Sequence, residues 1–411
     1  MLSFLPVWVL AKAKERGSSN MPNLTKTLPL ELIREILLRL PVRSVLRFKC
    51  VCKSWLSLIS DPQFAISHYD LAAAPSHRLL LRTYRFYVES IDIEAPLKNY
   101  FSAVHLLLPP SSPPRPLQLG EHNYHSACID NHEILGSCKG FIVLYYKRNN
   151  DLILWNPSTG FHKRFLNFAN ELTYLLCGFG YDTSVDDYLL ILIDLCESKN
   201  EESEDDDCKL EIAIFSFKTG NWVLFAEIHV SYKNFYYDDL RVGSLLNGAL
   251  HWMVCYKDRK VPVIIAFDLI QRSLLEIPLL DHLTMKKYEA YSLSVMDGCL
   301  SVCYSVRGCG MIEIWVMKIY KVQSSWTKSV VIPTYGKPQD FFSPICITKD
   351  GGIFGSNYCG KLEKFNDKGE LLEKLIYGRS QGFYTTNLQS SIYRESLLSL
   401  PSVCRQTRDV Q

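Results

Sequence analysis

The first strongly apolar part of the chain has the spacing of an amphipathic helix. In residues 28–40 (LPLELIREILLRL) the aliphatic positions follow one helix face: Leu32, Ile33, Ile36, Leu37 and Leu40. Thr27 is suited to cap the start of this helix, with Pro29 in its first turn. Pro41 ends it and can open the next helix.

Residues 42–64 (VRSVLRFKCVCKSWLSLISDPQF) continue the helical spacing. A second helix is predicted after Pro41, and a third short one over residues 55–59, ended by Asp61-Pro62. Three helices in so short a segment bury too little surface to be stable alone, although their apolar content is high. The apolar faces must therefore be covered, either by the rest of the chain or by a partner protein.

The pattern changes after Tyr69 from helical spacing to short alternating runs separated by turn residues. One unit recurs, in which an apolar run with a glycine turn precedes a hairpin of an aromatic-rich and an apolar strand. Its five instances cover 137–166, 188–225, 244–279, 294–332 and 345–377. Residues 79–108 supply a sixth, divergent instance. The stretches NPSTG, FKTGN, DLIQR and NDKGE are predicted hairpin turns, in which Gly, Asn or Asp adopts the unusual φ angles.

The spacing of these units favours a β-propeller. Successive units begin roughly 50 residues apart, close to the period of kelch-type blades, which gives about six blades. The double glycine of kelch repeats is absent except for Gly351-Gly352. A β-sandwich array is the alternative. The predicted fold class is thus an α+β multidomain protein, with a three-helix module followed by an all-β domain.

The chain divides by these patterns into four predicted parts. They are an N-terminal extension (1–24), the helical module (25–70), the β-domain (75–400) and a C-terminal tail (401–411). The apolar run at residues 2–11 precedes its basic residues instead of following them, and it is too short for a membrane span. We expect residues 1–20 to be a dispensable extension.

Composition narrows the possible partners. Apolar residues make up 47% of the chain, charged residues 21%, and the net charge is +2. This balance is typical of a globular protein and gives no basic field for nucleic acid or an anionic membrane, so neither is predicted as a partner. The acidic run at residues 197–207 (ESKNEESEDDD) is interpreted as a solvated insertion, or as a docking patch for a basic partner.

No set of residues in the sequence predicts catalysis, a cofactor or a metal. The motifs GxSxG, HExxH and the Walker-type loop are absent. His122, His125 and His132 lack the spacing of a standard metal site. The carboxylates at positions 182, 186 and 187 fall in a turn, where Asp serves turn geometry. The fourteen cysteines have no zinc spacing, and we interpret them mainly as buried, reduced thiols of an intracellular protein.

The helical segment resembles an F-box of the plant type. The matching residues are Leu28-Pro29, then ILLRLPV (36–42), Ser44, LRF (46–48), Val51, Lys53, Trp55, Leu58-Ile59, Asp61-Pro62 and Phe64, without a gap. The resemblance implies docking to a Skp-family adaptor and, through it, to a cullin. The implied adaptor-binding residues are Leu28, Pro29, Leu32, Ile33, Ile36, Leu40, Pro41, Val42, Leu46, Val51 and Trp55. Some of these, Ile36 among them, can instead hold the helices together.

The β-domain resembles the plant F-box-associated domain. The matching pieces are GSCKGFIVLY with LWNPSTG, GFGYD, NGALHW, AFDL with IPL, and EIWVMK with SWTK. Lys139 stands where the family often has Asn, and Leu189-Leu190 stand where it usually has Lys-Val. The resemblance extends to families of pollen self-incompatibility and defence control, and does not choose between them.

The two resemblances together imply the substrate-recognition subunit of an SCF (Skp–cullin–F-box) ubiquitin ligase in the cytoplasm or nucleus. The β-domain would bind a target protein for ubiquitination and proteasomal degradation, without catalysis by this chain. A non-degradative scaffold and a propeller enzyme are the alternatives. The enzyme would need copper ligands or facing carboxylates, which the sequence does not offer.

Overall fold

The computed structural model divides the chain into two compact units, Met1–Ala73 and Ala74–Gln411. The structure describes residues 29–71, 77–82, 87–97, 104–107, 109, 132–147, 149–166, 176–195, 209–229, 232–234, 242–256, 261–281, 288–306, 310–333, 342–357, 361–376 and 390–400. The predicted extension, tail and acidic run therefore lie outside the described residues.

The described part of the first unit consists of helices α1 (Leu30–Leu38), α2 (Val42–Phe48), α3 (Lys53–Ser60) and α4 (Pro62–Leu71). Pro29 and Pro41 are the residues before α1 and α2, and the carbonyl oxygen of each accepts the first backbone bonds of its helix. The fixed φ of proline suits both positions. None of the described helices is long and apolar enough to cross a membrane.

Helix α4 differs from the expectation of three helices. The Asp61-Pro62 pair, which is predicted to end the third helix, also begins α4. The Asp61 carboxylate accepts the backbone N–H of Gln63 at 2.9 Å, and its carbonyl oxygen accepts that of Ala65 at 3.1 Å. Aspartate before a proline at the first helical position is a favourable helix start, so one dipeptide both ends α3 and starts α4.

The helices share a small set of buried side chains. These are Ile33, Leu37, Leu38, Val42, Val45, Ile59, Phe64 and Ala65. Two polar contacts bind α4 to the first helix and its loop. His68 Nε2 lies 2.8 Å from the carbonyl oxygen of Leu40, and Arg34 Nη2 donates to Ser67 Oγ at 3.0 Å. Buried polar groups need such partners, and these two fix the position of α4 on α1.

The second unit is a β-propeller whose described strands form six sheets, or blades. Blade 1 contains β1 (His77–Arg82), β2 (Tyr87–Asp92), β3 (Val104–Leu107) and β25 (Ser390–Arg394). Blade 2 contains β4 (His132–Cys138), β5 (Phe141–Tyr146), β6 (Asp151–Trp155) and β7 (His162–Phe165). Blade 3 contains β8 (Leu176–Asp182), β9 (Asp187–Leu195), β10 (Lys209–Ser216) and β11 (Asn221–His229).

The other three blades follow the same antiparallel order. Blade 4 contains β12 (Tyr232–Asn234), β13 (Ser244–Leu246), β14 (Ala249–Tyr256), β15 (Pro262–Asp268) and β16 (Leu274–Ile277). Blade 5 contains β17 (Tyr288–Met296), β18 (Cys299–Val306), β19 (Met311–Met317) and β20 (Trp326–Pro333). Blade 6 contains β21 (Phe342–Ile347), β22 (Ile353–Asn357), β23 (Lys361–Phe365) and β24 (Leu371–Ile376). In blade 4, β12 and β13 share one edge of β14.

The ring is closed by the C-terminal strand. In blades 2, 3, 5 and 6 the strand that comes first in sequence lies at one end of the sheet and contacts its counterpart in a neighbouring blade, as β4 contacts β8. Blade 1 receives this strand from the other end of the chain, because β25 pairs with β1 from His77↔Arg394 to Leu81↔Ser390. A sheet edge left unpaired at the first strand is thereby covered.

Apolar residues fill the junctions between blades. Five described clusters join blades 1 and 2, 3 and 4, 4 and 5, 5 and 6, and 6 and 1. Blades 2 and 3 meet through aromatic rings, with Phe141 and Tyr188 centroids 5.0 Å apart and Phe165 and Phe217 centroids 5.3 Å apart. The predicted propeller of about six blades is confirmed, and the β-sandwich alternative is not supported.

The predicted hairpin turns connect strands of the same blade. Gly160, Gly220 and Gly369 have φ angles of 75°, 74° and 80°, as expected for turn glycines. In the DLIQR turn, however, the left-handed residue is Arg272, with φ 54°. Asp268 contributes there through hydrogen bonds to the following backbone instead of through its own φ angle.

Candidate adaptor-binding surface on the helical unit

Helix α1 is apolar on two sides, and the structure buries only one of them. Ile33 and Leu37 are 7% and 1% exposed, whereas Leu32 and Ile36 are 51% and 53% exposed. Each pair is four residues apart and therefore lies along one line of the helix. The exposed Pro29 lies three residues before Leu32. We call Pro29, Leu32 and Ile36 the α1 stripe.

The α1 stripe is bordered by charged side chains. Arg39 Nη1 lies 2.8 Å from Glu35 Oε2, and Arg34 Nη1 lies 3.8 Å from Glu35 Oε1. Such exposed ion pairs contribute little to stability, on the order of 0–1 kcal/mol. An apolar centre with a polar border is the composition of a protein–protein interface.

The remaining predicted adaptor-binding residues fall into three groups. Pro41 and Val51 are exposed, Val51 by 48%. Leu40, Leu46 and Trp55 are half-buried. Val42 is buried, as Ile33 is, so both act from inside the helical unit. Leu28 lies outside the described residues.

Trp55 has a structural contact as well as an accessible surface. Its ring packs edge-on against Phe48, with centroids 5.5 Å apart and an interplanar angle of 89°. This pair joins α2 and α3. Aromatic pairs of this geometry contribute about 0.5–1.5 kcal/mol, so Trp55 supports the helices even without a partner.

The helical unit also exposes apolar side chains that the sequence pattern did not predict as adaptor-binding residues. They are Leu30, Leu56, Ile66 and Leu71, with exposures between 44% and 58%. Leu30 directly follows the Leu28-Pro29 pair, and this position was the sequence feature that could have marked it as an adaptor-binding residue. Ile66 and Leu71 lie on α4, which the sequence analysis did not predict as a helix.

Exposed apolar surface of this extent is unusual on so small a unit. Fully burying a Leu or Ile side chain is worth about 1.5–3 kcal/mol, so covering the exposed halves of Leu32 and Ile36 supplies on the order of 2 kcal/mol. Large exposed apolar patches mark interaction sites. The geometry thus suits a helix face that is covered by another protein.

The candidate chemical groups of the propeller serve its turns. Asp182 Oδ1 accepts the backbone N–H of Ser184 at 2.8 Å, and Asp182 Oδ2 pairs with Arg272 Nη2 at 2.6 Å. Burial opposes the charge of Asp182, but these partners outweigh it and lower the pKa of the carboxyl. Asp187 accepts the N–H of Lys218 at 2.8 Å. The carboxylates thus have the turn role that was predicted for them.

Histidines and cysteines of the described residues form no group of three that could hold a metal ion. His132 is buried with its ring 5.8 Å from that of Tyr146, whereas His122 and His125 lie outside the described residues. Cys138 is a free, buried thiol, and burial raises its pKa to about 12. A thiol held so firmly protonated is a poor nucleophile.

Comparison with known protein families agrees with both units. The F-box domain family matches residues 26–67, and the F-box associated beta propeller domain family matches residues 79–364. The second match alone covers more than half of the chain.

Curated relatives resemble the chain over most of its length. An F-box/kelch-repeat protein of Arabidopsis thaliana is 29% identical over 353 residues, covering 82% of this chain and 87% of its own. The F-box protein CPR1 of Arabidopsis thaliana is 26% identical over 349 residues, covering 79% and 78%. A solved nidogen/laminin complex contains a chain with 11% identity and a TM-score of 0.41 over 78% of this chain and 99% of its own. That last similarity is too low to bear on function.

An F-box followed by an F-box-associated propeller supports, in general terms, a substrate-adaptor role in an SCF ubiquitin ligase. The family is of the adaptor type. On the evidence of its helical unit, its six blades and the two family matches, this chain belongs to the F-box proteins with an F-box-associated β-propeller domain.

Proposed function

We propose that this chain is the substrate-recognition subunit of an SCF ubiquitin ligase. Its F-box docks a Skp-type adaptor, which links it to a cullin, and its propeller binds a protein target for ubiquitination and proteasomal degradation. The observation that carries the proposal is the α1 stripe, where Leu32 and Ile36 are half exposed beside the buried Ile33 and Leu37 of the same helix.

The predicted adaptor-binding residues take two roles in this proposal. The exposed and half-buried ones contact the adaptor directly, as anchors of a helix-to-groove interface. Ile33 and Val42 hold the helices in the geometry that presents those anchors. Leu28 belongs to the proposed interface through its place beside Pro29 in the sequence.

The chain contributes proximity and no covalent chemistry in this proposal. A receptor that holds a target lysine near a ubiquitin-charged enzyme turns an encounter in solution into a local one, which raises its rate. This task needs a rigid surface, and the apolar junctions between blades supply one. We place the protein in the cytoplasm, the nucleus or both, where that machinery acts on its targets.

Affinity purification with and without proteasome inhibition tests the proposal. Adaptor and cullin should be recovered with the full chain in both samples, and a target should accumulate only under inhibition. The variant Leu32→Ser/Ile36→Ser should lose adaptor and cullin. Leu372→Ser, which changes an equally exposed leucine on β24, is the matched control and should retain them.

Recovery of the chain without adaptor or cullin would overturn the proposal. Recovery of both with a bound protein that is neither ubiquitinated nor stabilised by inhibition would instead indicate a non-degradative scaffold.

A further inference from the structure

One segment of the helical unit carries positive charge and no negative charge. Residues 36–60 contain no carboxylate, and their five basic residues are Arg39, Arg43, Arg47, Lys49 and Lys53. The carboxylates of the described helical unit lie outside this segment, at Glu31, Glu35, Asp61 and Asp70. Arg39 pairs with Glu35 at 2.8 Å, so it is set aside. We call the other four, Arg43, Arg47, Lys49 and Lys53, the basic corner.

Neighbouring carboxylates leave three residues of the basic corner without an ion pair. Glu35 is paired with arginines of α1 and of the residue that follows it. The Asp61 carboxylate accepts a backbone N–H at the start of α4. Among the ion pairs of the described residues, none includes Arg47, Lys49 or Lys53. Their charge is therefore available to a partner.

Two residues of the basic corner stand where a helix disfavours positive charge. Lys53 is the first residue of α3 and Arg43 the second residue of α2, and neither helix has an acidic residue in its first turn. The N-terminal end of a helix carries partial positive charge, so a cation there weakens the helix. Arg43 also lies one turn from Arg47, where like charges repel. Only Arg47, in the last turn of α2, is favoured by its position, so helix stability does not explain the basic corner.

The fold holds the basic corner in a fixed shape around an exposed apolar residue. The backbone N–H groups of Cys50 and Val51 donate to the carbonyl oxygens of Arg47 and Phe48 at 3.3 Å and 3.1 Å. Phe48 packs on Trp55 with ring centroids 5.5 Å apart, which joins α2 to α3. Val51 lies between the two lysines in sequence and is 48% exposed. The cations thus border one of the predicted adaptor-binding residues.

This arrangement fits an acidic protein surface. An apolar centre with a charged border is typical of a protein–protein interface, and the border of the partner must carry the opposite charge. Binding to nucleic acid depends on many phosphate contacts and on a basic field, whereas the net charge of this chain is only +2. We therefore argue for a protein partner with carboxylates around an apolar hollow.

We propose that the basic corner steers the adaptor onto the F-box by attracting an acidic border of the adaptor's docking surface. Carboxylates of the adaptor face Arg43, Arg47 and Lys53, while its apolar residues cover Val51 and the α1 stripe. The attraction acts before the surfaces touch, so it mainly raises the association rate. The assignment rests on the proposed function, because it describes how the proposed adaptor is recognised.

Stopped-flow mixing of the full chain with a purified Skp-type adaptor measures this steering. The association rate of the unchanged chain should fall at least about tenfold between about 0.05 M and about 0.5 M salt, and the dissociation rate should change less than about twofold. Arg47→Glu/Lys53→Glu should associate about tenfold more slowly than the unchanged chain at low salt. The difference between the two chains should vanish at high salt, because salt screens exposed charges.

A control variant separates the basic corner from net charge. Lys318→Glu/Lys368→Glu makes the same change in net charge at two exposed lysines of the propeller, and its association rate should stay within about twofold of the unchanged rate. Lys53→Glu alone separates docking from folding, because an acidic residue in the first turn of α3 favours the helix. It should slow association about threefold and leave the unfolding temperature unchanged or higher.

Three results would overturn the steering and leave the proposed function standing, because the adaptor still binds in each. They are an association rate that does not depend on salt, unchanged association of the basic-corner variants, and equal slowing in the propeller control. If the unchanged chain binds no adaptor at either salt concentration, both proposals fall. Binding of single-stranded RNA to the unchanged chain that Lys53→Glu abolishes would assign the basic corner to nucleic acid and overturn the steering.

Discussion

Asn156 in the β6–β7 turn donates hydrogen bonds from Nδ2 to both the carbonyl oxygen and the hydroxyl of Ser396, each at 3.2 Å, across 240 residues of sequence. Nδ2 also reaches the carbonyl oxygen of Leu398 at 3.0 Å. Both Asn156 and Ser396 are buried. The segment that follows β25 is thus fixed to blade 2, which secures the closure of the ring.

Replacing Asn156 by alanine should destabilise the propeller by about 1–3 kcal/mol, because the buried carbonyl oxygens of Ser396 and Leu398 lose a donor. Chemical denaturation measures this loss. Asn221→Ala is the control, since the exposed Asn221 side chain bonds only within its own turn, and it should change stability by less than about 0.5 kcal/mol. Equal effects of the two variants would contradict the closing role of Asn156.

Gly140 and Gly160 give a second test of the closure. Both have left-handed φ angles, 81° and 75°, so alanine costs each about 1 kcal/mol of backbone strain. A Cβ on Gly140 would also meet the Ser396 side chain and the Arg394 carbonyl oxygen within 3 Å, whereas one on Gly160 would meet nothing within 4 Å. Gly140→Ala should therefore lower the unfolding temperature clearly more than Gly160→Ala. Similar shifts would show that Ser396 does not lie against Gly140.

His251 should make stability depend on pH between blades 4 and 5. Burial lowers its pKa from 6.5 to about 4, while its ring bonds the Ser244 carbonyl oxygen and the Tyr320 hydroxyl. As pH falls from 6.5 towards 4, the unfolded chain binds a proton that the folded one does not. The contribution of the neutral His251 to the free energy of unfolding is therefore fully present above pH 6.5. Between pH 6.5 and pH 4 acidification removes up to about 3 kcal/mol of it.

Denaturation at several pH values measures this dependence. The variant His251→Gln should lose less stability between pH 6.5 and pH 4 than the unchanged chain. His162→Gln, at an exposed position, is the control and should follow the unchanged chain. If the free energy of unfolding falls equally with pH in the unchanged chain and in His251→Gln, His251 is not the cause of the pH dependence.

Alanine variants of Ile33 and Leu32 should distinguish the side of α1 that stabilises the fold from the side proposed for docking. Ile33→Ala removes buried methyl groups and should cost about 2–5 kcal/mol. Leu32→Ala changes a half-exposed side chain and should cost less than about 0.5 kcal/mol. Hydrogen exchange of the α1 amides reports the difference. Faster exchange in the Leu32 variant than in the Ile33 variant would reverse the assignment of the two faces.

Local patterns in the sequence predicted the repeated blades but not their closure. Each hairpin, such as NPSTG between β6 and β7, has its signal within a few residues. The pairing of β25 with β1 depends on residues about 300 positions apart, such as Leu79 and Ile392, and no local spacing encodes it. Helix α4 was missed for a related reason, since its buried face includes the polar His68, whose partner is the Leu40 carbonyl oxygen.

The candidate site was predicted as a set of residues, and the structure divides that set. Leu32, Ile33, Ile36 and Leu37 are all aliphatic, so their chemistry alone does not separate the buried line of α1 from the exposed one. The position of α4 and the other helices decides it.

Calorimetric titration of the full chain with a purified Skp-type adaptor tests the central claim most directly. The unchanged chain should bind, Leu32→Ser/Ile36→Ser should bind at least about tenfold more weakly, and Leu372→Ser should bind as the unchanged chain does. If Leu32→Ser/Ile36→Ser loses adaptor binding while α1 stays folded, the α1 stripe is the docking surface. Undiminished binding by the folded Leu32→Ser/Ile36→Ser chain, or no binding by the unchanged chain, would contradict the account.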